Sequence, residues 1–82
     1  RYDMIKECVV KRFKSICSER KISYNHLANL AGVTPSTVYS MLDPSRKEVT
    51  INLIKILCDG LDISLRKFFN DDIFDNLEQE IK

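Results

Sequence analysis

Apolar residues in the first twenty positions recur at Ile5, Val9, Phe13 and Ile16 or Cys17, in steps of three and four, while Lys6, Lys14, Ser18 and Arg20 fall largely outside that stripe. Side chains so spaced share one face of an α-helix, which predicts a long amphipathic first helix from Met4 to about Arg20. Ser23 then precedes the run Tyr24 to Ala31, where its hydroxyl can cap the free amides of a short second helix. Gly32 stands where a chain leaves a helix through left-handed backbone angles, which cost a residue with a Cβ about 1 to 2 kcal/mol and cost glycine little. Thr34-Pro35 supplies an N-cap hydroxyl and then a proline at the helical position where a missing N–H is harmless, so a third helix starts at Pro35 and runs to about Leu42. Val33 lies one residue outside both helices and can pack back on Leu27 or Ala28 and forward on Val38.

The third helix turns Val38, Met41 and Leu42 to one side and Pro35, Ser36, Tyr39 and Ser40 to the other, so its outward face carries no charge. After a loop from Asp43 to Val49, Thr50 caps a fourth helix from Ile51 to about Leu61, apolar over most of its circumference and expected in the interior. Asp62 and Ile63 mark the next break. Ser64 caps Leu65 to Phe69, with Phe68 and Phe69 expected to close the core. The last twelve residues keep Ile73, Leu77 and Ile81 four apart amid five acids, which suits a short C-terminal amphipathic helix with nowhere obvious to bury its stripe. With no alternating strand pattern anywhere, the expected architecture is all-α, a five-helix domain over residues 1–70 followed by an acidic extension over 71–82.

Composition narrows the function classes. Eighty-two residues make one domain, and 44% apolar with 30% charged residues, two glycines and two prolines are enough for a modest core. The apolar run near Ile51 is broken by Asn52, Lys55 and Asp59, far short of the roughly 20 residues a bilayer requires, and no signal-peptide pattern appears, so a soluble cytoplasmic protein without a membrane partner is expected. Cys8, Cys17 and Cys58 are odd in number and never form CxxC, which favours small buried hydrophobes over a disulfide framework or a zinc knuckle. His26, the only histidine, has no Cys or acid at ligand spacing, so no metal or other cofactor is expected. No nucleophile with a base, no carboxylate pair in an apolar setting and no phosphate loop can be assembled, and catalysis is not expected. The net charge of +1 hides an asymmetry: residues 1–47 hold nine Lys/Arg against four acids, a net of +5, and residues 48–82 hold four against eight, a net of −4. A basic half is what a nucleic-acid binder needs.

Two short helices joined through Gly32-Val33-Thr34, with small Ala28 at their crossing and Leu27, Val38 and Met41 between them, meet the steric requirements of a helix-turn-helix. The second helix then stands proud of the domain, and a DNA major groove about 12 Å wide can receive it. The run Ile22 to Leu42, in particular Leu27-Ala28-Asn29-Leu30-Ala31-Gly32-Val33-Thr34-Pro35-Ser36-Thr37-Val38, resembles the helix-turn-helix of the phage-repressor (Cro and lambda-repressor, Xre-like) family. Thr50 to Leu65 looks like that family's fourth helix and the start of its fifth, and the resemblance covers roughly residues 4–70. It implies a lambda-repressor-like domain acting as a sequence-specific, repressor-like transcriptional regulator, with double-stranded DNA as partner and a homodimer on a two-fold symmetric operator.

Carried onto this chain, the resemblance places Pro35, Ser36, Tyr39 and Ser40 at base edges. Ser23, Tyr24, Asn25, Thr34, Thr37, Arg46, Lys47 and Thr50 fall near the groove or the phosphates. Tyr24 stands where many members carry Gln, and Cys17 with Leu42 replaces a frequent buried Arg–Glu pair, a double change that leaves no charge stranded. Asp62 takes the place of the usual glycine after helix four. A different class of function competes: a protein-interaction module, such as an antitoxin-like or adaptor subunit, that retains the fold and grips a partner through Ile73, Leu77 and Ile81.

Overall fold

The computed structural model describes residues 4–77, which form five α-helices: α1 (Ile5–Arg20), α2 (Tyr24–Ala31), α3 (Pro35–Leu42), α4 (Ile51–Gly60) and α5 (Leu65–Phe69). A single 3-10 turn follows at Asp72–Asp75. Three of the helix starts agree with the caps read from the chain. Ser23 accepts from the His26 amide at 3.0 Å, Thr50 from Leu53 at 3.2 Å and Ser64 from Lys67 at 3.0 Å, each satisfying an amide that the first helical turn leaves without a partner.

Three helix ends share one construction. Lys21, Gly32 and Asp62 adopt left-handed angles, with φ of 58°, 72° and 57°. The amides just beyond them, on Ile22, Val33 and Ile63, each reach back 3.0 Å to the carbonyls of Cys17, Ala28 and Cys58. This is the Schellman arrangement, and the apolar residue after each left-handed position packs onto the core, as its geometry favours. Val33 therefore packs inward as expected from its place between two helices.

The core draws Val9, Phe13, Ile16 and Cys17 from α1, Leu27 and Ala28 from α2, Val38 and Met41 from α3, Ile54, Leu57 and Cys58 from α4, and Phe68 from α5. At its base the Phe13 and Phe68 rings lie 4.5 Å apart between centroids. All three cysteines are buried thiols outside any disulfide, small apolar fillers as expected. Arg12 ties α1 to the end of α5: its Nε donates to the Phe68 carbonyl at 2.7 Å and its Nη2 to Lys67 at 3.0 Å. Cations belong at a helix C-terminus, where unpaired carbonyls concentrate negative charge. Helices α2 and α4 pack against each other so closely that a Cβ on Gly60 would lie 2.8 Å from both the Cα and the N of Ala31.

Four expectations need correcting. Lys6, expected outside the buried stripe, is only 5% exposed, because the loop after α3 passes over it and offers it carbonyl partners. Ile5, placed on that stripe, is 38% exposed, since it lies at the first turn, before α1 meets the core. Helix α4 is not interior all round: Ile51 and Ile56 are exposed, and only Ile54, Leu57 and Cys58 are buried, because α4 meets its neighbours on one side. In place of a C-terminal α-helix, the described part of the extension turns tightly at Asp72–Asp75, with the Asp71 carboxylate accepting from the Ile73 amide at 3.0 Å. That turn carries Phe74 onto Phe69 and Phe68, at 4.9 and 6.0 Å between centroids, so an aromatic cluster forms where the spacing suggested a regular Ile73–Leu77 stripe. Ile73 and Leu77 are half-buried, and Ile81 lies outside the described residues.

Candidate nucleic-acid interface

The pairing of α2 with α3 rests on few residues. Leu27, Ala28 and Val38 are fully buried and Met41 nearly so, which fixes the crossing. Gly32 has open space around the position of a Cβ, so glycine is favoured there by its positive φ and not by any steric restriction. Thr34 starts α3 with extended angles and Pro35 at the first helical position, as expected. Its hydroxyl, however, does not cap an amide. The Thr37 amide already donates to the Thr34 carbonyl at 3.0 Å, and the hydroxyl instead meets Thr37 Oγ1 at 2.9 Å and Ser36 Oγ at 3.1 Å. The first turn of α3 thus carries a linked trio of hydroxyls at its outer edge.

Pro35, Ser36, Tyr39 and Ser40 are all exposed, while Thr37 is half-buried. Tyr39, 51% exposed, stands edge-on to Tyr24 with centroids 6.1 Å apart and planes at 88°, a favoured aromatic geometry. Half-buried Tyr24 at the first turn of α2 therefore touches the outer face of α3. Burial, with Cys17 and Tyr39 nearby, pushes its phenol above the usual range, so it remains a neutral hydrogen-bonding group. Ser23 and Asn25 are exposed beside it.

The loop between α3 and α4 is tied down at several points. Asp43 accepts from the Ser45 amide at 2.9 Å and from its hydroxyl at 2.8 Å, bonds that hold the carboxyl below the usual range. The Arg46 amide closes the turn on the Asp43 carbonyl at 3.1 Å. Lys6 reaches across from α1, its Nζ donating at 2.7 Å to the carbonyls of both Asp43 and Arg46. Arg46, Lys47 and Thr50 are exposed. Between α1 and this loop lies an open cavity of about 630 Å³, with apolar Met4, Val10, Leu42 and Pro44 and with Lys14, Arg46 and Lys47 among its walls. The role of Lys6 is invisible in the chain, because nothing local distinguishes it from the other lysines of α1. Exposed His26 has no shared metal site: among the described residues no group of three His, Cys, Asp or Glu is placed to hold a metal ion. Nor, among those residues, is any helix long and apolar enough to cross a membrane.

Two short helices at a tight glycine-terminated turn, the second uncharged and exposed along its outer face, define a helix-turn-helix DNA-binding domain. The chain belongs to the Cro/C1-type helix-turn-helix DNA-binding family, whose pattern it matches over residues 12–70. It is also similar to a solved structure, the prophage Lp1 protein 11, with 30% identity and a TM-score of 0.76, covering 84% of this chain and 91% of that one. No curated protein sequence matches it. The fold is lambda-repressor-like, and a DNA-binding regulator is the general function that it supports.

Proposed function

We propose that the chain is a sequence-specific, repressor-like transcriptional regulator that inserts α3 into the major groove, with Pro35, Ser36, Tyr39 and Ser40 at base edges. The observation carrying this reading is the outer face of α3, exposed throughout and free of charge, held by a rigid turn beside the first turn of α2. Ser23, Tyr24, Asn25, Thr34, Thr37 and Thr50 serve the backbone with hydroxyls, amides and helix N-termini, and Arg46 and Lys47 with charge. The prophage origin of the similar structure suits a repressor-like role. Such a protein works in the cytoplasm, needs no cofactor and catalyses nothing.

None of the four reading residues can make a bidentate contact, so each half-site is read through hydroxyls, through Tyr39 against a thymine methyl and through DNA shape. Occupying two half-sites as a homodimer compensates for a weak single reading. Selection of bound duplexes from a random pool tests this directly. A two-fold symmetric motif with half-sites about one helical turn apart is expected. Recovery of no motif, or binding indifferent to salt, would overturn the reading.

The exposed, charge-free face also suits the competing role of an interaction module, and light scattering separates the two through the stripe. Because Phe74 packs with Phe68 and Phe69, cutting the chain at Asn70 would damage the core, so Leu77→Asp is the cleaner perturbation. A shift from dimer to monomer assigns Leu77 to self-association. A monomer already in the parent protein, with no selected motif, favours the module.

A further inference from the structure

We propose that Lys6 is a positioning residue for DNA binding: buried beneath the α3–α4 loop, it clamps that loop so that Arg46 and Lys47 are held ready for the phosphate backbone. This rests on the reading of the loop as a DNA contact. Lysine is among the residue types least often buried, and its burial here is compensated by two hydrogen bonds to carbonyls. Those carbonyls belong to Asp43 and Arg46, the first and last residues of the Asp43-Pro44-Ser45-Arg46 turn, each 2.7 Å from Nζ. The turn is internally braced by the Arg46 amide on the Asp43 carbonyl and by Ser45 on the Asp43 carboxylate. A braced turn gripped at both ends moves as one body with α1. Arg46 is its last residue and Lys47 the next, so the ammonium sets where both cations leave the surface of the domain.

The clamp acts without touching DNA. At 5% exposure Lys6 offers little surface to a phosphate, and its Nζ is directed to the Asp43 and Arg46 carbonyls although the side chain forms part of the cavity wall. Removing it therefore differs from removing a phosphate contact. Losing a contact lowers both the affinity and the number of counterions released, so the salt slope falls by about one. Losing a clamp lowers the fraction of molecules whose loop is in place, and the apparent affinity falls by that fraction while the bound state is unchanged. If the loop is in place about a tenth of the time without Lys6, binding weakens about tenfold at an unchanged salt slope.

The experiment compares the parent chain, Lys6→Met and Lys47→Ala by anisotropy on the duplex recovered by selection, across a salt series, with amide exchange followed by NMR. Lys6→Gln, which keeps a donor on a shorter stem, replaces Lys6→Met should that variant not fold. The expected result for the Lys6 variant is about tenfold weaker binding at the parent's salt slope. Faster exchange at Ser45 and Arg46 should accompany it, with α2 and α3 amides unchanged. Lys47→Ala should instead lower the slope. Parent-like affinity in the Lys6 variant beside a weakened Lys47→Ala would overturn the clamp and leave the DNA reading standing. A lowered slope in the Lys6 variant would also overturn it, by making Lys6 a direct contact. Failure of the parent to bind any selected duplex would overturn the DNA reading and this proposal with it.

Discussion

Replacing Gly60 by alanine should destabilise the protein, although helix propensity argues the opposite. Gly60 is the last residue of α4 and has ordinary helical angles, where Ala is favoured over Gly by up to about 1 kcal/mol. A methyl there would sit 2.8 Å from Ala31 Cα and 2.8 Å from Ala31 N, with Ala31 Cβ at 3.0 Å. Favourable carbon contacts lie near 3.5 to 4.0 Å, and the first two atoms are backbone, so no rotamer change relieves the overlap. Forcing α2 and α4 apart is an overpacking change, worth about 1 to 3 kcal/mol and more when the backbone must shift. The net expectation is a loss of about 1 to 2 kcal/mol, which for a domain of this size lowers Tm by roughly 5 to 15 °C.

Urea unfolding gives the sharper measurement, with the midpoint falling at constant m. The double variant Gly60→Ala with Ala31→Gly identifies the atoms responsible. Removing the Ala31 methyl eliminates only the 3.0 Å contact, so the coupling between the two changes should be small. A rise in stability for Gly60→Ala, or a rescue above about 1 kcal/mol in the double variant, would refute the backbone approach of α2 to α4. Gly32→Ala makes a useful contrast. It meets nothing within 4 Å but must hold φ near 72°, so it should cost about 1 kcal/mol, and Gly32→Asn, which tolerates such angles, should cost less.

Exposed Lys21, held at φ 58°, should tolerate Lys21→Gly with a gain of up to about 1 kcal/mol, read as a higher urea midpoint; a loss would argue against the left-handed end of α1. Arg12→Ala removes two charge-assisted hydrogen bonds to the Lys67 and Phe68 carbonyls and should cost about 2 kcal/mol in urea unfolding, with exchange rising first at α5 amides. Burial, reinforced by the Asp59 carboxylate, pushes the Cys58 thiol up from 9.0 to about 11. The unfolded thiol then ionises first, so its contribution to stability is full below about pH 9 and is lost as pH rises towards 11; Tm should decline over that window, and less steeply in Cys58→Ala. Tyr24→Ala, which strips the edge-on support from Tyr39, should broaden the selected motif if Tyr39 reads bases as proposed, whereas an unchanged motif would separate the two rings functionally.

What the chain discloses in advance depends on the distance over which each feature is decided. Ser23, Thr50 and Ser64 each bond an amide three residues on, and Gly32 terminates α2 through bonds that span no more than five residues, so their roles are visible in short windows. Lys21 is local too, yet its left-handed angles carry no compositional mark, because lysine gives no reason to expect them. Gly60 is silent for another reason. A glycine near a helix end suggests a cap, but the left-handed position falls to Asp62 while Gly60 accommodates Ala31 of a different helix. The C-terminal spacing does not disclose the packing of Phe74, because it ranks Ile73 and Leu77 above Phe74, whereas the Phe68 and Phe69 platform that attracts Phe74 exists only once α5 has docked.

The same distinction governs the candidate interface. Exposure of Pro35, Ser36, Tyr39 and Ser40 follows from helical period once Val38 and Met41 are known to face inward, and it is legible for that reason. The loop cations are legible as charges but not as a device. Arg46 and Lys47 read as two flexible side chains on a solvated loop, and a loop that samples many positions gives up affinity in proportion to the time it spends out of place. The bonds from Lys6, 37 and 40 residues away along the chain, tie that loop to α1. On the proposed reading, the positive charge of the first half of the chain does two separable jobs: exposed cations attract the phosphates, and buried Lys6 sets where two of them stand, so charge counting overstates the first role by the residue that performs the second.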